Sequence, residues 1–408
     1  MKLKITQLLT IGTVGALMAA CSSPESNNSL SVKGLQTGEE VSLAAEQLVT
    51  PHGFPYALKL FNLALEKDPE NQRALFYKNA LGPIATFEGI LARVAPLAAK
   101  EGKTAALQQF IKSLPETEIK RFLTQNTQSA ISNPSEVQNL VIEMRNSWES
   151  LRRHLRATRG QSLTLNLNPD LFQIEDLLNR DEFCKVTATG DGQYSSNCDL
   201  QNLYTVQVNS ADKMALQQMA AVYSLYLGFL SNYNVIGSDA LIEKIRSEMI
   251  TPQEKLNLIH QDQKFLKLRT DSQHAMIKEM GLDAVQAARW IVANQRQICN
   301  PEKRIKRPGM LFHQGLCVDG STSDTEKVLS LVEAALSGPV DQVVDNNGTM
   351  ETLKIDYTVF QRGQLNDLKV FIPTQINACG EATQYKDMTF SGLMPEGAKM
   401  PEAQPCIK

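Results

Sequence analysis

Six cysteines form the most regular chemical pattern in this chain. Cys184 with Cys198, Cys299 with Cys317, and Cys379 with Cys406 fall as three successive local pairs, each flanking a loop-like stretch. An even number at such spacings predicts disulfides in an oxidising compartment, and sequential pairing is the simplest connectivity. Each closed loop would contribute roughly 3 kcal/mol by restricting the unfolded chain. Cys299, His313 and Cys317 also carry a zinc alternative, because a His and a Cys four apart can converge on one ion. Only three ligands are visible there, and no metal is assigned. The five histidines, His52, His154, His260, His274 and His313, stand in no catalytic signature. No G-x-S-x-G elbow, H-E-x-x-H helix, P-loop or dinucleotide glycine fingerprint occurs. Adjacent acids such as Asp181 and Glu182 are uninformative among 44 acidic residues. The chain therefore reads as non-enzymatic and without a cofactor. Arg152, Arg156 and Arg159 share a helical face and are candidates to grip a carboxylate, phosphate or lipid headgroup. The same arginines would complement a helix C-terminus. Asp345-Asn346-Asn347-Gly348 offers oxygens to calcium, but a turn needs the same residues.

The seventh cysteine has a different setting. Residues 1–20 have the three parts of a secretory signal: Lys2 and Lys4 in a short basic start, an apolar run from Ile5 to Leu17, then small residues before Cys21. Met18-Ala19-Ala20-Cys21 resembles the lipobox of bacterial lipoproteins, with Met18 standing where leucine is usual. The resemblance implies that Cys21 is acylated and becomes the N-terminus. It also implies, through Ser22 at the next position, sorting to the outer membrane. Acyl chains on one residue anchor strongly, at about 0.8 kcal/mol per buried CH₂. Residues 21–34 then form a lipidated tether, with SSPESNNS flexible in composition.

The rest of the chain is long enough for two or three domains or one helical array. The formal charge of the whole sequence is −3, with 41 basic against 44 acidic residues, and losing Lys2 and Lys4 leaves the remainder more acidic. That argues against nucleic acid as a partner. Low aromatic content and abundant Ala, Leu and Gln favour helix. Within YALKLFNLALEKDPEN, Ala57, Phe61, Ala64 and Pro69 are spaced so that two alanines admit a neighbouring helix, Phe61 fills the groove and Asp68-Pro69 ends the helix. This resembles the second helix and closing turn of a tetratricopeptide repeat. Lys78, Asn79 and Pro83 depart from the family pattern, and Pro83 is expected to interrupt the following helix early. Because such solenoids bury their faces by stacking about three repeats, the resemblance implies that neighbouring helices complete the array.

Helices dominate the first two thirds. Short ones are expected over Thr104 to Leu114 and Glu116 to Leu123, and a long one from Glu136 to about Arg159, started by Asn133-Pro134 and stopped by Gly160. Val137, Leu140, Val141, Met144, Trp148, Leu151 and Leu155 form its apolar stripe. Asp170 to Arg180 reads as helix. Asp191-Gly192 reads as a hairpin turn with Lys185 to Thr189 and Leu203 to Val208 as strands around it. Met214 to Ser238 carries no charge, yet Gln217, Gln218, Ser224 and Asn232 argue against a membrane span, so a helix buried all round is expected. Further helices are expected over Asp239 to Met249, Pro252 to Leu268, Gln273 to Gln297 and Thr325 to Leu336. In the tail, Leu353 to Phe360 and Leu368 to Ile372 read as strands joined by a turn at Gln361 to Asp367.

The expected architecture is mainly α: a tetratricopeptide-like array or bundle over 35–337, with a hairpin insertion near 183–208. A small disulfide-stapled, β-containing cap follows over 338–408. The expected function is that of a membrane-anchored, periplasm-facing lipoprotein binding protein partners through a helical groove. The alternative is a small-molecule or lipid-binding component, similar to the T components of TRAP transporters, with the uncharged helix lining an apolar pocket.

Overall fold

The computed structural model describes residues 35–49, 54–100, 102–114, 118–125, 130–167, 185–189, 193–197, 204–208, 210–237, 241, 244–245, 250–294, 322–346 and 349–398. The protein is mainly helical, with small antiparallel sheets. It divides into two compact units: residues 1–132 with 162–208, and residues 133–161 with 209–408. This division departs from the boundary expected at 337/338, because the long helix after Asn133 leaves the first unit and the chain returns to that unit at Ser162.

In the first unit, α1 (Gly38–Gln47) begins at a full capping box, Thr37 receiving the Glu40 amide and Glu40 reaching back to the Thr37 amide. The amphipathic helix α2 (Phe54–Lys67) buries Phe54, Ala57, Leu60, Phe61 and Ala64, which recur every three or four positions. Asp68-Pro69 ends it, and Asn71 caps α3 (Gln72–Ala85) by accepting the Ala74 amide at 2.9 Å. The three helices pack in succession. Phe61 stacks on Tyr77 with ring centroids 4.7 Å apart. At Gly38 a Cβ would lie 2.6 Å from the Asp68 Cβ and 2.8 Å from the Ala64 carbonyl, so the start of α1 abuts the end of α2. Pro83 does not interrupt α3, which continues to Ala85. A proline this near a helix end removes one donor and leaves little helix to break.

Short helices follow: α4 (Ile90–Arg93), α5 (Ala95–Lys100), α6 (Thr104–Ser113) and α7 (Glu118–Thr124), the last two at the expected places. Phe122 of α7 meets Phe54 edge-on at 4.9 Å. The strands pair differently from expectation. β2 (Lys185–Thr189) pairs with β3 (Gln193–Asn197), whereas β4 (Tyr204–Val208) pairs with β1 (Leu163–Leu167), a strand the sequence reading did not foresee. β1 alternates Leu163, Leu165 and Leu167 with polar residues, but it follows directly on a long helical pattern that masks its own period.

The second unit is built on α8 (Pro134–Ala157), which spans almost the expected range and is capped by Asn133 accepting the Glu136 amide. α9 (Ser210–Asn232) packs against both α8 and α11 (Met276–Ala293). Trp148 stacks on Tyr223 at 4.6 Å, and Ala211, Met214, Ala287 and Ile291 form an apolar cluster. α10 (Pro252–Gln261) starts at the Thr251/Glu254 capping box and stops short of Leu268, because Asp262 turns the chain by accepting the Lys264 and Phe265 amides. α12 (Thr322–Ala335) packs on α11.

The tail corrects the strand assignment. β5 (Val340–Asn346) and β6 (Thr349–Ile355) form an antiparallel pair with Asn346 opposite Thr349. Phe360 lies in a helical turn, α13 (Thr358–Gln361), and Leu368–Phe371 forms a 3₁₀ turn. Asp356 accepts the Thr358 amide and Asp367 the Lys369 amide, each turning the chain where a strand was expected. β7 (Gln375–Ile376) pairs with β8 (Ala382–Gln384).

α9 is not buried all round. Val222 and Tyr226 are 47% and 54% exposed, while Asp212, Lys213, Gln217, Ser224, Ser231 and Asn232 are buried. The buried side of the uncharged stretch thus mixes Met214, Leu216, Ala220, Ala221 and Leu227 with Gln217, Ser224, Ser231 and Asn232, while Val222 and Tyr226 face outward. Among the described residues, no helix is long and apolar enough to cross a membrane.

Candidate functional site

Steps of three and four residues bring Arg145, Glu149, Arg152 and Arg156 to one side of α8, and Arg159 follows in the turn after it. Glu279 and Asp283, four apart, do the same on α11. Where the helices pack, these side chains interlock. Arg152 is 0% exposed. Its Nε and Nη2 donate to the two Glu149 oxygens at 2.7 and 2.6 Å, Nη2 also reaches Glu279 Oε1 at 3.2 Å, and Nη1 donates to Asp283 Oδ2. Arg156 Nη1 donates to Glu279 Oε1 at 2.8 Å, and Arg153 Nε to Glu149 Oε1 at 2.7 Å. Burial works against the Arg152 charge, but Glu149, Asp283 and Glu279 outweigh it and hold the guanidinium above its ordinary value. Burial likewise opposes the Glu279 charge, and Arg152 and Arg156 outweigh it to lower that carboxyl.

On either side of this network, the seam between α8 and α9 is less completely satisfied. Towards the end of α9, Arg145 Nη1 donates to Ser231 Oγ at 2.9 Å, and Gln138 bonds the Leu230 carbonyl and the Val235 amide. Burial depresses Arg145. Towards the start of α9, Lys213 Nζ donates to the Thr158 carbonyl at 2.7 Å and Arg159 Nη2 to Gln217 Oε1 at 3.1 Å. Five buried donor-bearing atoms of the seam have no partner: Arg145 Nε, Arg159 Nε, Gln217 Nε2, Ser224 Oγ and Asn232 Nδ2. Such atoms are rare in folded proteins and call for a water or a ligand.

No family model, curated protein or solved structure matches the chain. The arrangement itself has to carry the functional reading.

A second polar cluster lies inside the first unit. Glu46, 1% exposed, accepts from Arg73 Nη1 at 2.7 Å, Tyr77 Oη at 2.9 Å and Asn166 Nδ2 at 3.2 Å, tying α1, α3 and β1 together. Arg73 also donates to the Thr164 carbonyl at 2.8 Å. Burial raises the Glu46 carboxyl despite Arg73, and burial followed by Glu46 pushes Tyr77 well up. Every oxygen of this carboxylate is engaged, so it latches rather than reacts.

The residues expected to carry function are placed as follows. Ala57, Phe61 and Ala64 are fully buried between helices, and Pro69 is exposed at the turn. Of the expected anion-gripping face, Arg152 is taken up by Glu149, Glu279 and Asp283 of the same unit, the half-exposed Arg156 reaches Glu279 through Nη1, and Arg159 keeps a buried Nε without a partner. The cause is Glu279 and Asp283, whose pairing to α8 depends on a long-range contact. Cys379 is disulfide-bonded. Cys21, Cys184, Cys198, Cys299, Cys317 and Cys406 lie outside the described residues, as do His52, His313, Asp170 to Arg180 and most of Asp239 to Met249. His154 is half-buried, and burial with the Lys213 charge depresses it. His260 contacts the Pro373 carbonyl and His274 the Ser272 hydroxyl. Among the described residues, no group of His, Cys, Asp or Glu is arranged for a metal. Lys213, Gln217, Glu149, Glu279 and Asp283 were missed, although the i, i+4 spacing of Glu279 and Asp283 on an expected helix was a usable signal.

Proposed function

We propose that this protein is a non-enzymatic lipoprotein, anchored to the outer membrane through Cys21 and facing the periplasm, whose helical units bind protein partners. The observation that carries the reading is on α12. Val328, Leu331 and Val332 lie at spacings of three and one on one face and are exposed, while the same helix packs on α11. An apolar stripe at helical spacing suits the apolar face of a partner segment. Further support comes from α1 to α3, where Ala57, Phe61 and Ala64 fill the roles that a tetratricopeptide-like hairpin requires. The sequential disulfides, 184 to 198, 299 to 317 and 379 to 406, belong to the same proposal as staples of an exported chain.

The test is site-specific photo-crosslinking in cells, from Leu331 and from polar positions on the same helix such as Lys327. Adducts of defined mass from Leu331, lost on Val332→Glu with unfolding unchanged, are expected. Absence of any defined adduct would overturn the reading. Cys21→Ser should move the chain from the membrane to the soluble fraction; retention on the membrane would count against the anchor.

A further inference from the structure

Just past the end of α8 and in the first turns of α9, Arg159 and Lys213 lie close together, and among the described residues neither forms an ion pair with a carboxylate. Lys213 is 3% exposed, and its ammonium donates only to the Thr158 carbonyl, leaving two N–H groups without a protein acceptor. One residue on, Arg159 bonds Gln217 Oε1 through Nη2, and Nε remains buried and unpartnered. Gln217 is 0% exposed, its carbonyl is used by Arg159, and its Nε2 is unpartnered. Lys213 and Gln217 are four apart on α9 and therefore on one face. Both bond to the short stretch that follows α8, Thr158-Arg159, as does Ser210 through its bond to the Arg159 carbonyl at 3.4 Å. The side-chain partners of the two cations are a carbonyl and an amide oxygen, those of Thr158 and Gln217. The contrast with Arg152 is sharp: there three carboxylates meet one guanidinium, here two cations and an amide meet none.

A single carbonyl cannot balance a buried ammonium, because an uncompensated charge is costly away from water. Unused N–H groups on Lys213, Arg159 and Gln217, gathered where the chain after α8 bonds to the start of α9, are the complement of an oxyanion. Arg159 is only partly buried, which provides an approach from solvent.

We propose that Lys213, Arg159 and Gln217 form a binding site for a phosphate group. The ammonium supplies the charge, and Arg159 Nε and Gln217 Nε2 supply directed hydrogen bonds that orient the phosphate oxygens. The group could be carried by a free small molecule or by a lipid headgroup.

The experiment uses the full chain. Inorganic phosphate is titrated against thermal unfolding at constant ionic strength, with chloride as the reference anion. Binding to the folded state raises Tm with phosphate concentration. Gln217→Met and Arg159→Lys each remove a directed donor at nearly constant volume, and each should move the phosphate midpoint upward by about tenfold, the effect expected of one charge-assisted hydrogen bond. Arg159→Lys, at a half-buried position, keeps the test available should Gln217→Met fail to fold. Vesicles with and without phosphatidylglycerol, offered to the chain carrying Cys21→Ser, separate the sources: flotation only with the anionic lipid identifies a headgroup, and a phosphate shift without flotation identifies a soluble ligand. Equal Tm shifts in phosphate and chloride would overturn the proposal. So would an unchanged phosphate midpoint in a folded variant, and the free donors would then belong to internal water.

Discussion

Removing the Asp283 carboxylate leaves Arg152 with a donor aimed at nothing in a site closed to water. Breaking a buried pair from one side typically costs about 3–5 kcal/mol, more than the pair itself contributes. Asp283→Ala should therefore lower unfolding free energy by about that amount in denaturant titration. Replacing the pair together, Arg152→Met with Asp283→Leu, should cost less than the sum of the two single changes, although Glu149 then keeps only Arg153. An additive double variant would show that the two side chains are not coupled. Glu46 makes a prediction of opposite sign to the usual carboxylate. Its folded-state affinity for a proton is raised by burial, so its contribution to stability is fully present below its ordinary value of 4.5 and is lost as pH rises through the raised folded value. Glu46→Gln should flatten the pH dependence of unfolding in the range just above 4.5. An unchanged profile would mean that the site is wetter than its burial indicates. Glu279, lowered by its two arginines, acts the other way: its contribution is present above 4.5 and fades as pH falls through its depressed value.

At the scale of elements, the packing of α1 on α2 turns on a missing side chain. A Cβ at Gly38 would meet the Asp68 Cβ and the Ala64 carbonyl, neither of which is the end of a flexible chain. Overpacking of this kind costs about 1–3 kcal/mol, so Gly38→Ala should destabilise the first unit by that amount in thermal unfolding, despite alanine's better helix propensity. Loss of no stability would show that the two helices can part freely. The start of α8 depends on Asn133, and Asn133→Ala should cost about 1 kcal/mol in denaturant unfolding. The Asn133 start was legible in the sequence, because a cap involves residues three apart and needs no tertiary partner. Strand pairing was not legible in the same way. β4 has the alternation of a strand, but nothing local says that its partner is Leu163–Leu167 and not the hairpin beside it.

At the scale of the molecule, the two units share their chain twice, since α8 interrupts the first unit before the second has otherwise begun. A boundary read from composition falls where character changes along the chain, and so it marked the β-containing tail. Contacts marked instead the points near Asn133, Ser162 and Asn209. If Cys379 pairs with Cys406, peptide mapping without reduction should give a single linked species holding both cysteines. A Cys379 link to any other cysteine would replace the sequential scheme.

What the sequence determined by itself was the helical character, the caps, the positions of most helices and the register of Ala57, Phe61 and Ala64. Each follows from periodicities and side-chain bonds that span only a few residues. Only the tertiary structure decided what the polar residues of α8 and α9 do. Arg152, Arg156 and Arg159 look equivalent on a helical wheel, yet Glu279 and Asp283, more than a hundred positions away, engage the first two, whereas Arg159 lies past the helix end and bonds Gln217. The uncharged stretch from Met214 concealed which of its faces is buried for the same reason. Hydropathy averages around a helix, whereas burial depends on which neighbours arrive, and here α8 and α11 cover the side that carries Lys213, Gln217 and Ser224.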